Sequence, residues 1–586
     1  MTAAIVIIGS FIYLVCYFIY GTRLERNLVR SSDAAEAPAR RLFDGLDYVP
    51  ARKEILFGHH FASIVGAAPA IGPALAICWG WAPALLWVWV GNIFIGAVHD
   101  YLALMVSVRY EGKSIQHVAL DLMGKRTGYF FYLIVFFFLI FLTAVFTAIL
   151  GDLFVNIPAL GSAYLWTLLT ALIFGILFYR IKLKLALSTV IGLFLLIAAL
   201  WCGTLTPLKL SYGTWMWIFF FYIVIASSIP VKVLLQPRDY LNSWLLYAGI
   251  AIGFIAAVFA FRGFEVPAFA GFSPIIIGGK PTPLWPAIIL IVSFSSISGF
   301  HSLVASGTTS KQLEKESDAL WVGYGAMLAQ GFFSTIVIIV IAGFGYTTLL
   351  QKGITPDVLN YENWGAMCAE ASAHAGLSHV NLFIQSYATM VKATWLKIIP
   401  EQWIIALAGV WIASFVMSAL DTTNRVARYC FTEMTFPLQN KLSLFKLLTN
   451  RWIASMIPAA LGIYLAVCIN DFLMDTLFHK GNWWLVIWSS LGIINHLIAS
   501  IALLTGTAYV AKIMKSSSAY AAMIPAWILW ITVTAAMIWF FFAIQPIVMS
   551  SNPKAGWGMA LALITLCMLN FIFIADFIRS RSFRAG

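Results

Sequence analysis

Apolar residues run in long unbroken stretches from one end of the chain to the other, separated by short polar connections. The stretches are continuous rather than alternating, so they read as bilayer-crossing helices and not as strands of a barrel. Fifteen spans are predicted, at 2–20, 56–79, 81–108, 128–150, 161–180, 184–206, 213–234, 243–262, 284–308, 319–349, 403–426, 452–470, 483–511, 522–546 and 557–578. One further segment, 378–398, is too polar for a span and is expected as a re-entrant or surface helix. The longest polar stretches, 21–55 and 350–402, are short for independent folding, so no separate soluble domain is expected.

Charge fixes an orientation for this pattern. With the N-terminus outside, 28 of the 36 Lys and Arg residues fall on the inner side and 8 on the outer side. Cytoplasmic loops collect positive charge, so the split favours N-out, C-in and an odd number of spans. The same rule accounts for the net charge of +12 without nucleic acid as a partner. The first apolar run has no basic residue before it, and reads as a span that stays rather than a cleaved signal.

Composition agrees. The chain is 61% hydrophobic and 10% charged, with a mean hydropathy of +0.90, which excludes a soluble globular protein. Membrane lipid is therefore its surroundings. Seven cysteines without a CxxC pair give no disulfide or zinc framework. No P-loop, HExxH or GxSxG is present, so no enzyme chemistry and no cofactor are expected.

Polar groups at membrane depth are costly and mark function. Four places stand out. In GHHFASIVGAAPAIGP (58–73), His59, Ser63 and Gly66 share one helix face, next to His60, before Ala67, Ala68 and Pro69 interrupt the helix. Freed carbonyls at such a break are tolerated where they line an enclosed cavity, as in transporters with discontinuous helices. The alternative is a simple proline kink. In FSSISGFHSLVASGTTSKQ (294–312), Ser295, Ser298, Ser302, Ser306 and Thr309 form a hydroxyl stripe, with Gly299 inside it and His301 and Thr308 on a neighbouring face. Hydroxyls suit Na⁺ or a polar solute, or else close helix packing. His99 and Asp100 sit in a long apolar span and can carry a proton. Asp421, followed by Thr422 and Thr423, lies near a span end, where Arg425 at i+4 offers an ion pair. The imidazoles with Asp100 could suggest a metal site, but they come from three spans with no supporting spacing, and none is expected.

Several long motifs together resemble one family. GHHFASIVGAAPAIGP, QPRDYL (236–241), ISGFHSLVASGTTSKQL (297–313), LDTTNRVARY (420–429) and INHLIASIALLTGT (494–507) are similar, in order, to the carbon starvation protein A family. DGLDYVPARKEILFGHHF is similar to its N-terminal signature. The sequence departs from the family pattern at His99 and His496, each standing where the pattern has Gln. The resemblance implies a bacterial inner-membrane transporter of peptides or pyruvate, in the superfamily of amino-acid, polyamine and organocation carriers. That superfamily has a LeuT-like core of two five-helix repeats of inverted topology, the first helix of each broken at the substrate.

On this reading, residues 1–55 are a first span and inner loop, 56–206 and 213–430 the two repeats, and 451–586 the C-terminal helices. The second break is expected at Ser227, Ser228 and Pro230. Substrate is expected at Gly66, Ala67, Ala68, Pro69, Ser227, Ser228, Ser298, Gly299 and Ser302. Coupling to H⁺ or Na⁺ is expected at His59, His60, His99, Asp100, His301, Ser306, Thr308, Thr309 and Asp421. The competing functions are a solute sensor, which should carry a cytoplasmic output domain, and an intramembrane metal-dependent protein.

Overall fold

A computed structural model describes residues 1–66, 68–353, 379–438, 447–476 and 483–580. Among them the regular elements are helices, and twelve are long and apolar enough to cross a membrane. These are α1 (Thr2–Val29), α4 (Trp81–Arg109), α5 (Lys125–Asn156), α6 (Pro158–Arg180), α7 (Leu185–Leu205), α9 (Leu235–Phe259), α12 (Glu316–Gln351), α14 (Glu401–Thr435), α15 (Arg451–Thr476), α16 (Trp483–Lys512), α17 (Ser517–Ser551) and α18 (Pro553–Ser580). A bent pair, α2 (Lys53–Val65) and α3 (Ala68–Trp79), is a thirteenth candidate, with 46° between its halves.

The remaining two of the fifteen expected spans are not single span-length helices. One is the 17-residue α8 (Tyr212–Ser228). The other is interrupted: α10 (Leu284–Ile291) gives way to a short turn at Ser293–Ser295, and α11 begins at Gly299 and runs through Val304 to Thr309. The segment 378–398 holds a 14-residue helix, α13 (His379–Lys392), packed on α12 and α14.

Two breaks organise the centre. The first has an evident local cause: Gly66 ends α2 at φ 48°, ψ −149°, a conformation that a side chain resists. Ala67, expected at this break, lies outside the described residues. The second break has no proline. Ser298 is extended at φ −149°, ψ 132°, and the carbonyls freed there find side-chain donors. Gln330 Nε2 on α12 donates to the oxygens of Phe294 (3.4 Å) and Ser295 (3.2 Å). His496 Nε2 on α16 lies 3.1 Å from the oxygen of Ile297. Such satisfaction is what lets irregular backbone persist away from water. α4 runs hard against this break, because a Cβ on Gly96 would fall 1.8 Å from the carbonyl oxygen of Ser296.

Packing around the breaks follows a pattern. α5 packs on α14 and α15, and α14 packs on α8. α2 packs on α9, and α11 packs on α16. α6 and α7 form a closely packed hairpin, with much of α7 facing outward.

A strap precedes α2. The carboxylate oxygen Oδ1 of Asp44 accepts from the backbone N–H groups of Leu46, Asp47 and Tyr48 at 2.8–2.9 Å and curls the chain. Val49 and Ala51 then donate to the carbonyls of Lys311 (3.1 Å) and Gln312 (3.0 Å), just past α11. The Tyr48 hydroxyl donates to the Glu111 carbonyl (2.8 Å), beyond the end of α4.

Candidate functional site

The two breaks face each other across one small cavity. Gly66 and Ala68 of the first break and Ser298, Phe300 and His301 of the second line it, with Trp488 and Asn495 of α16. Its volume is about 20 Å³, room for a water rather than a solute, so this conformation is closed around the site. Three of the expected substrate residues, Gly66, Ala68 and Ser298, stand on its wall. Pro69 is buried in the first turn of α3, and Gly299 and Ser302 continue into α11 from the lining residues.

Ser227 and Ser228 are elsewhere. α8 runs unbroken to Ser228, and Pro230 follows its end, so the proline terminates a helix instead of breaking one. Ser227 Oγ bonds the Ile223 carbonyl (2.6 Å) and accepts from Asn424 Nδ2 (2.8 Å), while Ser228 Oγ donates to Ser455 Oγ (3.0 Å). These are contacts that pack α8 on α14 and α15, away from the cavity lining.

The hydroxyl stripe is mostly spent locally. Ser302 and Ser306, like Thr308 on the neighbouring face, donate to carbonyls three or four residues back, at 2.7–3.0 Å. Ser295 does the same before the break. Of the stripe, Ser298 and Thr309 make contacts that matter for the site.

Two buried acid–base clusters flank α2. His60 Nε2 lies 2.8 Å from Asp100 Oδ2, and its Nδ1 lies 2.9 Å from the Thr309 hydroxyl. His301 Nδ1 lies 3.1 Å from Met327 Sδ. Both ring nitrogens of His99 and Oδ1 of Asp100 are buried without a hydrogen-bond partner. On the opposite side, His59 Nδ1 donates to Asp239 Oδ2 (2.6 Å). Asp239 is also held by Arg238, and by Ser418 Oγ at 2.8 Å. Arg238 reaches on to Asp421, which accepts from the Tyr222 hydroxyl (3.0 Å). His59, His60, Asp100, Arg238, Asp239 and Asp421 all have no more than 1% of their surface exposed, so each charge must find its partner within the protein.

The Asp421–Arg425 pairing expected from i+4 spacing does not form. Asp421 turns to Arg238 on α9. Arg425 turns to Asp47 of the strap (2.7 Å), where Arg428 joins it (3.0 Å). Arg425 also donates to the carbonyls of Ala226 and Ile229 at the end of α8, both at 2.7 Å. Burial works against the Asp47 carboxylate, but Arg428 and Arg425 outweigh it and hold the group well below the usual carboxylate range. Beside them Lys311 Nζ donates to the Gly307 carbonyl (3.0 Å) and lies 3.7 Å from the centre of the Tyr429 ring.

Three residues not singled out in the sequence join this candidate site, Arg238 and Asp239 in the cluster on α9 and Asn495 on the cavity wall, while Asp47 anchors the strap beside it. Arg238 and Asp239 lie in QPRDYL, ahead of the expected span 243–262, whereas α9 begins at Leu235. Among the described residues no three His, Cys, Asp or Glu side chains are arranged to hold a metal ion.

Comparison with known proteins places this arrangement. The family described as "Carbon starvation protein CstA" matches residues 1–536. The chain belongs to that family. A peptide transporter CstA of Bacillus subtilis is 30% identical, over 98% of this chain and 96% of the relative. A peptide transporter CstA of Escherichia coli is 29% identical, over 91% and 80%. A pyruvate/proton symporter, BtsT, of Escherichia coli is 26% identical, over 92% and 82%. A manganese transporter of Eremococcus coleocola superposes with a TM-score of 0.49 at 12% identity, over 92% and 99%, a likeness too slight to bear on function. This carbon starvation family protein is a multi-pass membrane transporter and not an enzyme.

Proposed function

We propose that the protein is a secondary transporter that imports a small organic carboxylate or peptide across the bacterial inner membrane, coupled to protons. The observation that carries this is the pair of helix breaks facing one cavity. Broken helices at matching places in two halves are the usual pointer to a transporter's binding site. A helix N-terminus freed at a break suits a carboxylate, which pyruvate and peptides share.

The halves follow from the breaks. The first comprises α2/α3, α4, α5, α8 and α9, and the second α10/α11, α12, α14, α15 and α16, with the α6–α7 hairpin inserted in the first. Their contacts support the pairing: third helix packs on third (α5 on α14), third on fourth in both senses (α5 on α15, α14 on α8), and first on fifth in each half (α2 on α9, α11 on α16). With the N-terminus outside, alternation starts the first half from the cytoplasm and the second from the exterior, the inverted relation of a LeuT-like core. The second half thus begins at 284 in this reading, not at 213.

Protons are favoured over Na⁺ by the state of the carboxylates. Asp239 and Asp421 already bond Arg238, with His59 on Asp239, and Asp100 bonds His60. Thr309, a candidate Na⁺ ligand, is engaged by His60. A relative named as a proton symporter agrees. The test is uptake of labelled pyruvate and of a tripeptide into proteoliposomes in Na⁺-free medium under an imposed pH gradient. Uptake that the gradient drives supports the reading. Uptake that requires Na⁺ and ignores the gradient moves the coupling to sodium, and uptake of neither solute overturns the function.

A further inference from the structure

Asn495 sits where the second break meets the cavity, and its amide can be oriented without ambiguity. One end of the side chain lies 3.1 Å from the backbone nitrogen of Phe300 and 3.1 Å from Ser298 Oγ. A backbone N–H only donates, so the atom facing it is the oxygen. Oδ1 is therefore committed to holding the start of α11. Nδ2 is buried and has no hydrogen-bond partner, although Asn495 is on the cavity wall. A buried donor left without an acceptor is costly and rare, and calls for a partner that arrives from outside the fold. The contact between the two elements is tight: a Cβ on Gly299 would fall 2.3 Å from the Asn495 carbonyl oxygen.

We infer that Asn495 is a substrate-binding residue, whose Nδ2 donates to the carboxylate of the transported solute while Oδ1 holds the break in shape. The inference rests on the transporter reading above and deepens it. A carboxylate here would accept from the amide and lie at the positive end of α11, an eleven-residue helical run from Gly299 to Thr309. An ammonium group or a purely apolar solute would leave the amide nitrogen stranded, so the site favours solutes that present an acceptor, and a carboxylate makes the strongest such bond.

Asn495→Asp is the decisive change. It keeps an oxygen for Phe300 and Ser298 and turns the donor into an anionic acceptor. Uptake of labelled pyruvate and of trialanine into proteoliposomes is measured for the full chain, for this variant and for Ser298→Trp, which fills the cavity. Loss of a hydrogen bond to a charged group corresponds to roughly 10- to 100-fold. Asn495→Asp should therefore raise KM by about that factor for the carried solute, with a smaller change in maximal rate; its buried, unpaired carboxyl also lowers the melting temperature, so KM is read on folded, reconstituted protein. Ser298→Trp should abolish uptake. A wild-type KM in Asn495→Asp beside an inactive Ser298→Trp rejects the role of Asn495 and leaves the cavity. Wild-type uptake in both rejects the cavity itself. If Asn495→Asp does not insert, Asn495→Ser, which retains an oxygen and lacks the nitrogen, reads the same KM. A wild type that carries neither solute overturns the transporter reading beneath the inference.

Discussion

Replacing Asp47 by asparagine removes the carboxylate that two buried arginines share. Arg425 has no exposed surface, Arg428 is 5% exposed, and both point at this one group. Breaking a buried ion pair by deleting one partner costs about 3–5 kcal/mol. Arg425 keeps its bonds to the Ala226 and Ile229 carbonyls, so the lower end applies, about 3 kcal/mol. Spread over the strap, that is a change of about 100-fold in the equilibrium between docked and released forms. The strap covers Lys311 and Gln312, so its release exposes the buried Ser310 beside them. A single cysteine at Ser310, in a background without the seven native cysteines, reports this through a membrane-impermeant maleimide in inside-out vesicles. Labelling should be much faster with Asp47→Asn than without it. The pH dependence has a definite sign. A carboxyl held below its ordinary value contributes stability above that ordinary value, about 4, and loses it only as pH falls through the lowered one. Divided by the rate of a fully accessible thiol at the same pH, which removes the fall of thiolate with pH, the parent's labelling should therefore stay equally slow from pH 8 to pH 5. Equal labelling of the two proteins, or a normalised parent rate that climbs as the pH falls across that range, would refute the strap as an inner latch.

Arg238→Met should destabilise the protein by about 3–5 kcal/mol, because it strands Asp239 and Asp421 in the interior, and adding Asp421→Asn should recover part of the loss; detergent-solubilised melting curves check both. Gly66→Ala should cost about 1–2 kcal/mol, since φ 48° disfavours a side chain and no neighbouring atom approaches an added Cβ closer than 3.5 Å; the melting temperature measures it. His496→Gln should retain uptake, because a glutamine amide can donate to the Ile297 carbonyl in place of Nε2, whereas His496→Leu should lose it.

The membrane character and most helix positions are legible in the sequence because apolar runs of bilayer length have few other outcomes. The first break is legible too, since Gly66 and Pro69 punctuate an apolar run. The second is not. Pro230 is the more conspicuous signal, yet it merely follows the end of α8. The break at 296–298 contains only Ser and Ile, and its cause lies on other helices, in Gln330, Asn495 and His496. Ion pairing fails to be legible for the same reason. Spacing along one helix suggests Asp421 with Arg425, whereas the fold gives each a partner from far along the chain, Arg238 and Asp47.

His59 and His60 are neighbours on the short helix α2, so their side chains leave it about 100° apart. One is tied to Asp239 on α9 and the other to Asp100 on α4. Thirteen residues thus hang between two fixed helices like a shaft held by two set-screws. The shaft cannot swing or roll toward one side without straining the fastening on the other. A change at either fastening therefore changes the torque on the whole half-helix, and through Gly66 on the wall of the cavity.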